Sequence, residues 1–122
     1  MKYIITERQS RLLEEPEKIL KIPSLSYFNN DWELLQKFLE NRGYPPYSIS
    51  GNLNLSNTSI ESLGNLRRVE GFLNLNNSSI QSLGNLEYVG GDLYLKYTPL
   101  SETTSEDEIR SKINVEGNIH LQ

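Results

Sequence analysis

The stretch "GNLNLSNTSIESLGNLRRVE", residues 51–70, is followed at once by "GFLNLNNSSIQSLGNLEYVG", residues 71–90, and 13 of the 20 aligned positions are identical. A tandem copy of this length constrains the fold more than any overall composition does. A twenty-residue unit with only a handful of aliphatic side chains buries too little apolar surface to offset the entropy of ordering its own backbone. The units must therefore complete one another by stacking, so that neighbouring copies share one continuous core.

Within each unit the pattern is that of a strand with one buried face. Units begin at Gly51, Gly71 and Gly91, a strict period of 20, and a partial unit begins at Gly117 after six additional residues. Each opens with period-two alternation: Leu53 and Leu55, Leu73 and Leu75, Leu93 and Leu95, Ile119 and Leu121. Hydroxyls follow at Thr58, Ser78 and Thr98, where a short side chain can satisfy backbone groups as the chain leaves the strand. Apolar anchors then recur at short spacing: Ile60, Leu63, Leu66 and Val69 in the first full unit. Glycines before each strand, with Gly64 and Gly84 on the return path, permit tight turns or close approach between coils.

The run Leu73-x-Leu75-x-x-Ser78-x-Ile80 resembles the leucine-rich-repeat pattern, with Ser or Thr where many such repeats place Asn. The stretch Ser82 to Leu100 is more similar to the short repeats of receptor L domains and of bacterial and phage leucine-rich proteins. This resemblance covers residues 48–100 well and 109–122 loosely. It implies an α/β fold: a short leucine-rich-repeat solenoid with a parallel β-sheet, 20-residue repeats and an N-terminal helical cap. The period is short for the longer pattern, and Glu70 and Gly90 stand where that pattern has an apolar residue. Turns or 3₁₀ pieces, rather than a regular helix, are therefore expected opposite the sheet.

The array needs its ends covered. Residues 1–47 read as an N-terminal α/β capping region and residues 48–122 as the repeat region, the whole forming a single domain. In the cap, "KYIIT" reads as a strand, and Thr6 with Gln9 matches a capping box opening a helix over "ERQSRLLEE" before Pro16. Asn30 with Glu33 predicts a second capping box for "DWELLQKFLENRG", in which Trp32, Leu35, Phe38 and Leu39 share a helix face and Gly43 closes the end. The six extra residues predict a helical insertion near 104–113, opened by Ser105 with Glu108 and packed through Ile109 and Ile113. The carboxylates of Glu106, Asp107 and Glu108 suit a first helical turn and lack the ligand spacing of a calcium loop.

Charge narrows the partner. Residues 51–122 hold five basic and nine acidic side chains, while residues 1–50 balance at seven each, so the repeats carry the whole net charge of −4. An acidic surface is a poor phosphate binder, so no direct nucleic-acid contact is expected. A basic protein would suit it better. No apolar run approaches a membrane span, and the N-terminus lacks the long apolar middle of a secretory signal, so the chain is expected to be cytoplasmic.

Chemistry has little to work with. The chain has no Cys and a single His, His120, so neither a metal set nor a nucleophile–base pair is expected, and no cofactor. The outward strand positions remain: Asn52, Phe72, Asp92 and Asn118; Asn54, Asn74, Tyr94 and His120; Ser56, Asn76, Lys96 and Gln122. For Asn54 and Asn74 the expectation is amide hydrogen bonding between stacked strands. Phe72, Asp92, Tyr94, Lys96 and His120 are read as a protein-binding patch, since aromatics beside polar groups on a rigid sheet are typical of interfaces. The reading is a non-catalytic protein-interaction module, an acidic binder in the manner of phage counter-defence or anti-CRISPR inhibitors of nucleic-acid-handling enzymes. The alternative is a structural or assembly protein that forms a homodimer through the open C-terminal strand at Ile119 and Leu121.

Overall fold

The computed structural model describes residues 19–122. The strand expected at "KYIIT" and the helix expected over "ERQSRLLEE" with its Thr6–Gln9 box lie outside the described residues. The rest is a mixed α/β chain. Its elements are β1 (Leu20–Ile22), a 3₁₀ turn at Leu25–Phe28, α1 (Trp32–Glu40), β2 (Tyr47–Ile49), β3 (Leu53–Asn54), β4 (Leu66–Val69), β5 (Leu73–Asn74), β6 (Tyr88–Val89) and β7 (Leu93–Tyr94). A second 3₁₀ turn at Leu100–Glu102, α2 (Glu106–Lys112), β8 (Asn114–Val115) and β9 (Ile119–His120) complete it.

The twenty-residue period becomes a register. In one parallel sheet, ordered β3-β5-β7-β9, Leu53 pairs with Leu73, Leu73 with Leu93, and Leu93 with Ile119 across the longer interval. The other parallel sheet, ordered β1-β2-β4-β6-β8, aligns Ile22, Ile49, Val69, Val89 and Val115. The sequence reading anticipated one sheet, with irregular turns on the return path. A second forms because each return segment has its own copy 20 residues away, so Gly90 N–H reaches Val69 O at 2.8 Å and Glu87 N–H reaches Arg67 O at 2.7 Å. Leu53, Leu73 and Leu93 from one sheet and Ile49, Val69 and Val89 from the other are fully buried in the same core.

Close stacking explains the glycines. A Cβ at Gly90 would collide with the carbonyl oxygen of Glu70, so the second coil can lie on the first only without one. Gly64 and Gly84 instead occupy left-handed backbone, at φ 65° and 57°.

The caps are built by local chemistry. The N-cap of α1 is Asp31, not Asn30: its Oδ1 accepts the N–H groups of Glu33 and Leu34 at 3.0 and 3.2 Å. Asn30 sits at φ 56°, in the left-handed region, and cannot take the extended backbone of an N-cap. Leu35 and Leu39 bury the inner face of α1, with Trp32 and Phe38 packed at its margin. Tyr47 links this helix to the first coil, donating its hydroxyl to Leu63 O at 2.9 Å and accepting from Gln36 Nε2 at 3.2 Å. Burial pushes that hydroxyl well above the ordinary tyrosine range.

At the other end, Ser105 and Glu108 form the anticipated capping box and Ile109 and Ile113 are buried. The helix also carries Arg110, whose Nη1 and Nη2 donate to the carbonyls of Val115 and Gly117, each at 2.8 Å. Those carbonyls hold the positions at which Val89 and Gly91 accept the N–H groups of Glu116 and Gly117. Arg110 thus supplies the donors that a further coil would bring. Among the described residues no helix is long and apolar enough to cross a membrane.

Candidate protein-binding face

Alternation along β5, β7 and β9 turns Leu73, Leu93 and Ile119 inward and sets their neighbours on the outer face. Because the register is a direct superposition, outward side chains on adjacent strands of this sheet become neighbours. Tyr94 pairs with His120, and the two rings lie flat on each other, centroids 4.5 Å apart and planes 7° from parallel. Phe72 meets Tyr94 edge-on at 6.2 Å, with the planes at 88°. The row therefore presents one ring edge and one stacked pair, both favoured aromatic arrangements.

Asp92 holds the row in place from the side. Its Oδ1 accepts the N–H of Asn118 at 2.9 Å, and its Oδ2 accepts His120 Nε2 at 3.0 Å and Tyr94 Oη at 3.5 Å. The Asn118 N–H first, then the His120 ring, stabilise the ionised carboxylate and hold its pKa below the ordinary aspartate range. Asn52 does the same backbone work two coils earlier, its Oδ1 accepting the N–H of Phe72 at 2.9 Å. Position 92 is thus a structural staple to which the third coil adds a charge.

Phe72, Asp92, Tyr94 and His120 come together, all half-buried, as one cluster. Lys96 stands at its margin: its backbone N–H is held by Asn76 Oδ1 at 2.8 Å, while its ammonium joins none of these contacts. Ile119 and Leu121 lie on the opposite, core-facing side of the last strand and are only half-buried, where Leu93 and Leu95 are fully so.

The amide rows differ from expectation. Asn54 and Asn74 do not bridge strands; each folds onto its own chain, Oδ1 accepting the N–H two residues on, from Ser56 at 3.1 Å and Asn76 at 3.0 Å. A short amide reaches its own i+2 N–H more readily than the next strand. The bridging amides are elsewhere, Asn77 to Asn57 at 2.9 Å and Asn85 to Asn65 at 3.0 Å. The hydroxyls behave as read: Thr58 and Thr98 donate to the carbonyls of Leu55 and Leu95 at 2.7 and 2.8 Å.

One residue of the face was missed. Asn57 and Asn77 stand in the turns that follow β3 and β5, in left-handed backbone, which Asn tolerates, but the third coil puts Tyr97 there at φ 60°, with the residue 78% exposed. A left-handed tyrosine costs about 1 kcal/mol. The signal was in the sequence: against the second coil, the third replaces the amides at Asn74, Asn76 and Asn77 by Tyr94, Lys96 and Tyr97.

The site and fold define a class only: a mixed α/β chain with stacked parallel strands and a half-exposed aromatic row on one sheet. No protein-family model, no curated protein and no solved structure matches the chain.

Proposed function

We propose that this chain is a short leucine-rich-repeat-type solenoid that acts as a non-catalytic protein-binding module, presenting the outer face of β5, β7 and β9 to another protein. The observation that carries this reading is the ordered row Phe72, Tyr94 and His120, held by Asp92 yet half-exposed. Aromatic groups already locked in one geometry lose little conformational entropy on binding, which is the property of interface anchors. Lys96 and Tyr97 extend the row toward the ends of the strands and complete a patch with a polar rim.

The charge of the repeat region favours a basic partner, and an enzyme that handles nucleic acid is the leading class. The stacked strands make the row rigid, so the partner supplies the complementary pocket. Covering the basic surface of such an enzyme would block it.

The test compares the full chain with a Phe72→Ala, Tyr94→Ala double variant as baits in host lysate, washed at low and high salt, with mass spectrometry of the retained proteins. The expected result is one stoichiometric basic partner held by the parent chain, released by salt and absent from the variant, with both baits giving the same far-UV circular dichroism. Equal retention by the two baits would remove the face from consideration.

A further inference from the structure

The two sheets end differently at the C-terminal coil. On the β8 side, Arg110 occupies the carbonyls of Val115 and Gly117. On the β9 side nothing comparable is present among the described residues. In each earlier coil the inward-facing residues donate to the next strand: Leu73 N–H to Asp92 O at 3.0 Å, Leu75 N–H to Tyr94 O at 2.8 Å, Leu93 N–H to Asn118 O at 2.9 Å and Leu95 N–H to His120 O at 2.8 Å. Ile119 and Leu121 stand in those same places in the last coil, and their N–H groups have no acceptor among the described residues. Their side chains are also the half-open end of the core.

We propose that β9 pairs antiparallel with β9 of a second copy about a two-fold axis centred on His120, closing the chain into a dimer. This goes beyond the binding-face reading, because it uses the backbone edge of the strand and not the aromatic row. The strand is self-complementary in that register. Ile119 faces Leu121 of the partner subunit and Leu121 faces Ile119 of the partner subunit, and both are residues whose N–H and C=O point outward. Two such pairs exchange four backbone hydrogen bonds, as hydrogen-bonded antiparallel pairs do. The same register sets aliphatic against aliphatic on the core side, covering the open end of the core.

Head-to-tail stacking is disfavoured by the other end of that sheet. There β3 lies beside the first 3₁₀ turn and α1, whose Leu25 and Trp32 share a groove with Asn54, Leu55 and Ile60. A second β9 cannot replace a missing coil at that end without meeting this cap. An isologous contact through β9 needs only the one open edge and closes on itself.

On the outer face, His120 falls opposite His120 of the partner subunit in a non-hydrogen-bonded pair, with Cα atoms about 4.5 Å apart. The stack of Tyr94 on His120 then continues across the axis, and two aromatic rows become one.

The test is sedimentation equilibrium of the full chain together with single-cysteine cross-linking, which is clean because the chain has no cysteine of its own. The parent protein is expected to sediment at twice the 14.0 kDa of one chain. Leu121→Pro removes one outward donor without touching the β7–β9 ladder and is expected to sediment at 14.0 kDa with unchanged circular dichroism. His120→Cys is expected to form a disulfide dimer under mild oxidation, since the paired Cα atoms fall within the roughly 4.4–6.8 Å a disulfide spans. Asn118→Cys is expected to stay uncoupled, its counterpart lying roughly 13 Å away along the strand at about 3.3 Å per residue.

A parent chain of single-chain mass at every concentration overturns the proposal, as does a dimer that survives Leu121→Pro or that cross-links at position 118 and not at 120. The Phe72→Ala, Tyr94→Ala variant is expected to keep the dimer mass, so loss of the protein partner and loss of self-pairing are read separately.

Discussion

Asp92 and His120, 28 residues apart in the chain, meet at 3.0 Å between Oδ2 and Nε2. The carboxylate can only accept, so the ring carries its proton on Nε2. The contact fixes the imidazole flat on Tyr94 and ties the last strand to its neighbour. It also sets a pH dependence. The pKa of Asp92 is lowered in the folded chain, first by the Asn118 N–H and then by His120. A carboxylate with a lowered folded pKa contributes stability above the ordinary aspartate value of about 3.9 and loses it as pH falls through the folded value. Urea midpoints measured from neutral pH downward are expected to fall in that acid window for the parent chain. In Asp92→Asn, which keeps an acceptor for Asn118 N–H, that part of the fall is expected to be absent; an unchanged profile would show that Asp92 does not contribute.

Arg110 is the donor that finishes the β8 edge, through two charge-assisted bonds of 2.8 Å, and Glu106 holds it at 2.9 Å. The side chain is 37% exposed, which weakens its pairing with Glu106 by solvent screening. Arg110→Ala is expected to lower stability by about 1–2 kcal/mol, since the two carbonyls regain only water. Arg110→Lys is expected to recover less than half, because an ammonium cannot fork across two carbonyls. Chemical denaturation of the three proteins checks both.

Tyr47 is fully buried, and its hydroxyl joins α1 to the first coil through Leu63 O and Gln36. Tyr47→Phe leaves the ring in place and the Leu63 carbonyl without its partner. The expected loss is about 1–3 kcal/mol, the range for an unsatisfied buried acceptor. Burial raises the hydroxyl above the ordinary tyrosine value, so its stabilisation is fully present below pH of about 10 and is lost as pH rises through the folded value. That alkaline arm is expected to shrink in the variant, which a urea midpoint series between neutral and alkaline pH measures directly.

Gly90 tests whether the coils touch as closely as the register requires. An added Cβ meets the backbone of Glu70, and a backbone atom cannot rotate away as a side chain can. Gly90→Ala is expected to cost about 1–3 kcal/mol, the range for overpacking. Gly51→Ala, whose added methyl meets nothing nearer than Pro23 O at 3.4 Å and whose backbone, like that of Gly90, is not left-handed, isolates the conformational part of such a change. A loss at Gly90 no larger than at Gly51 would mean that the coils relax apart.

Much of this molecule was legible because one physical signal, repetition, is written directly in the residues. Copies 20 residues apart bring like beside like, so the inward leucines at 53, 73 and 93 and the outward positions 72, 94 and 120, which belong to two neighbouring rows, followed from alternation, while the contact of Phe72 with Tyr94 across those rows did not. The capping box at Ser105 and Glu108 was equally local, since both partners lie within one helical turn. Other features depended on backbone conformation that composition does not encode. Asn30 and Asp31 are both acceptable N-caps by type, and only the left-handed φ at Asn30 decided for Asp31. Asn54 and Asn74 had the chemistry to bridge strands, and the proximity of their own i+2 N–H groups decided otherwise.

By itself, then, the sequence determined the period, the buried and exposed faces of each strand, the two helices α1 and α2, and the cap of α2, whose signals are short-range. The tertiary structure alone decided that the return segments pair into a second sheet, that Asp92 reaches His120 across the coils, and that Arg110 closes the β8 edge. The reason is the distance over which each is set. Side-chain alternation and helix caps act between residues a few positions apart, whereas hydrogen bonds between coils exist only once the core has brought segments 20 or more residues apart within 3 Å of one another.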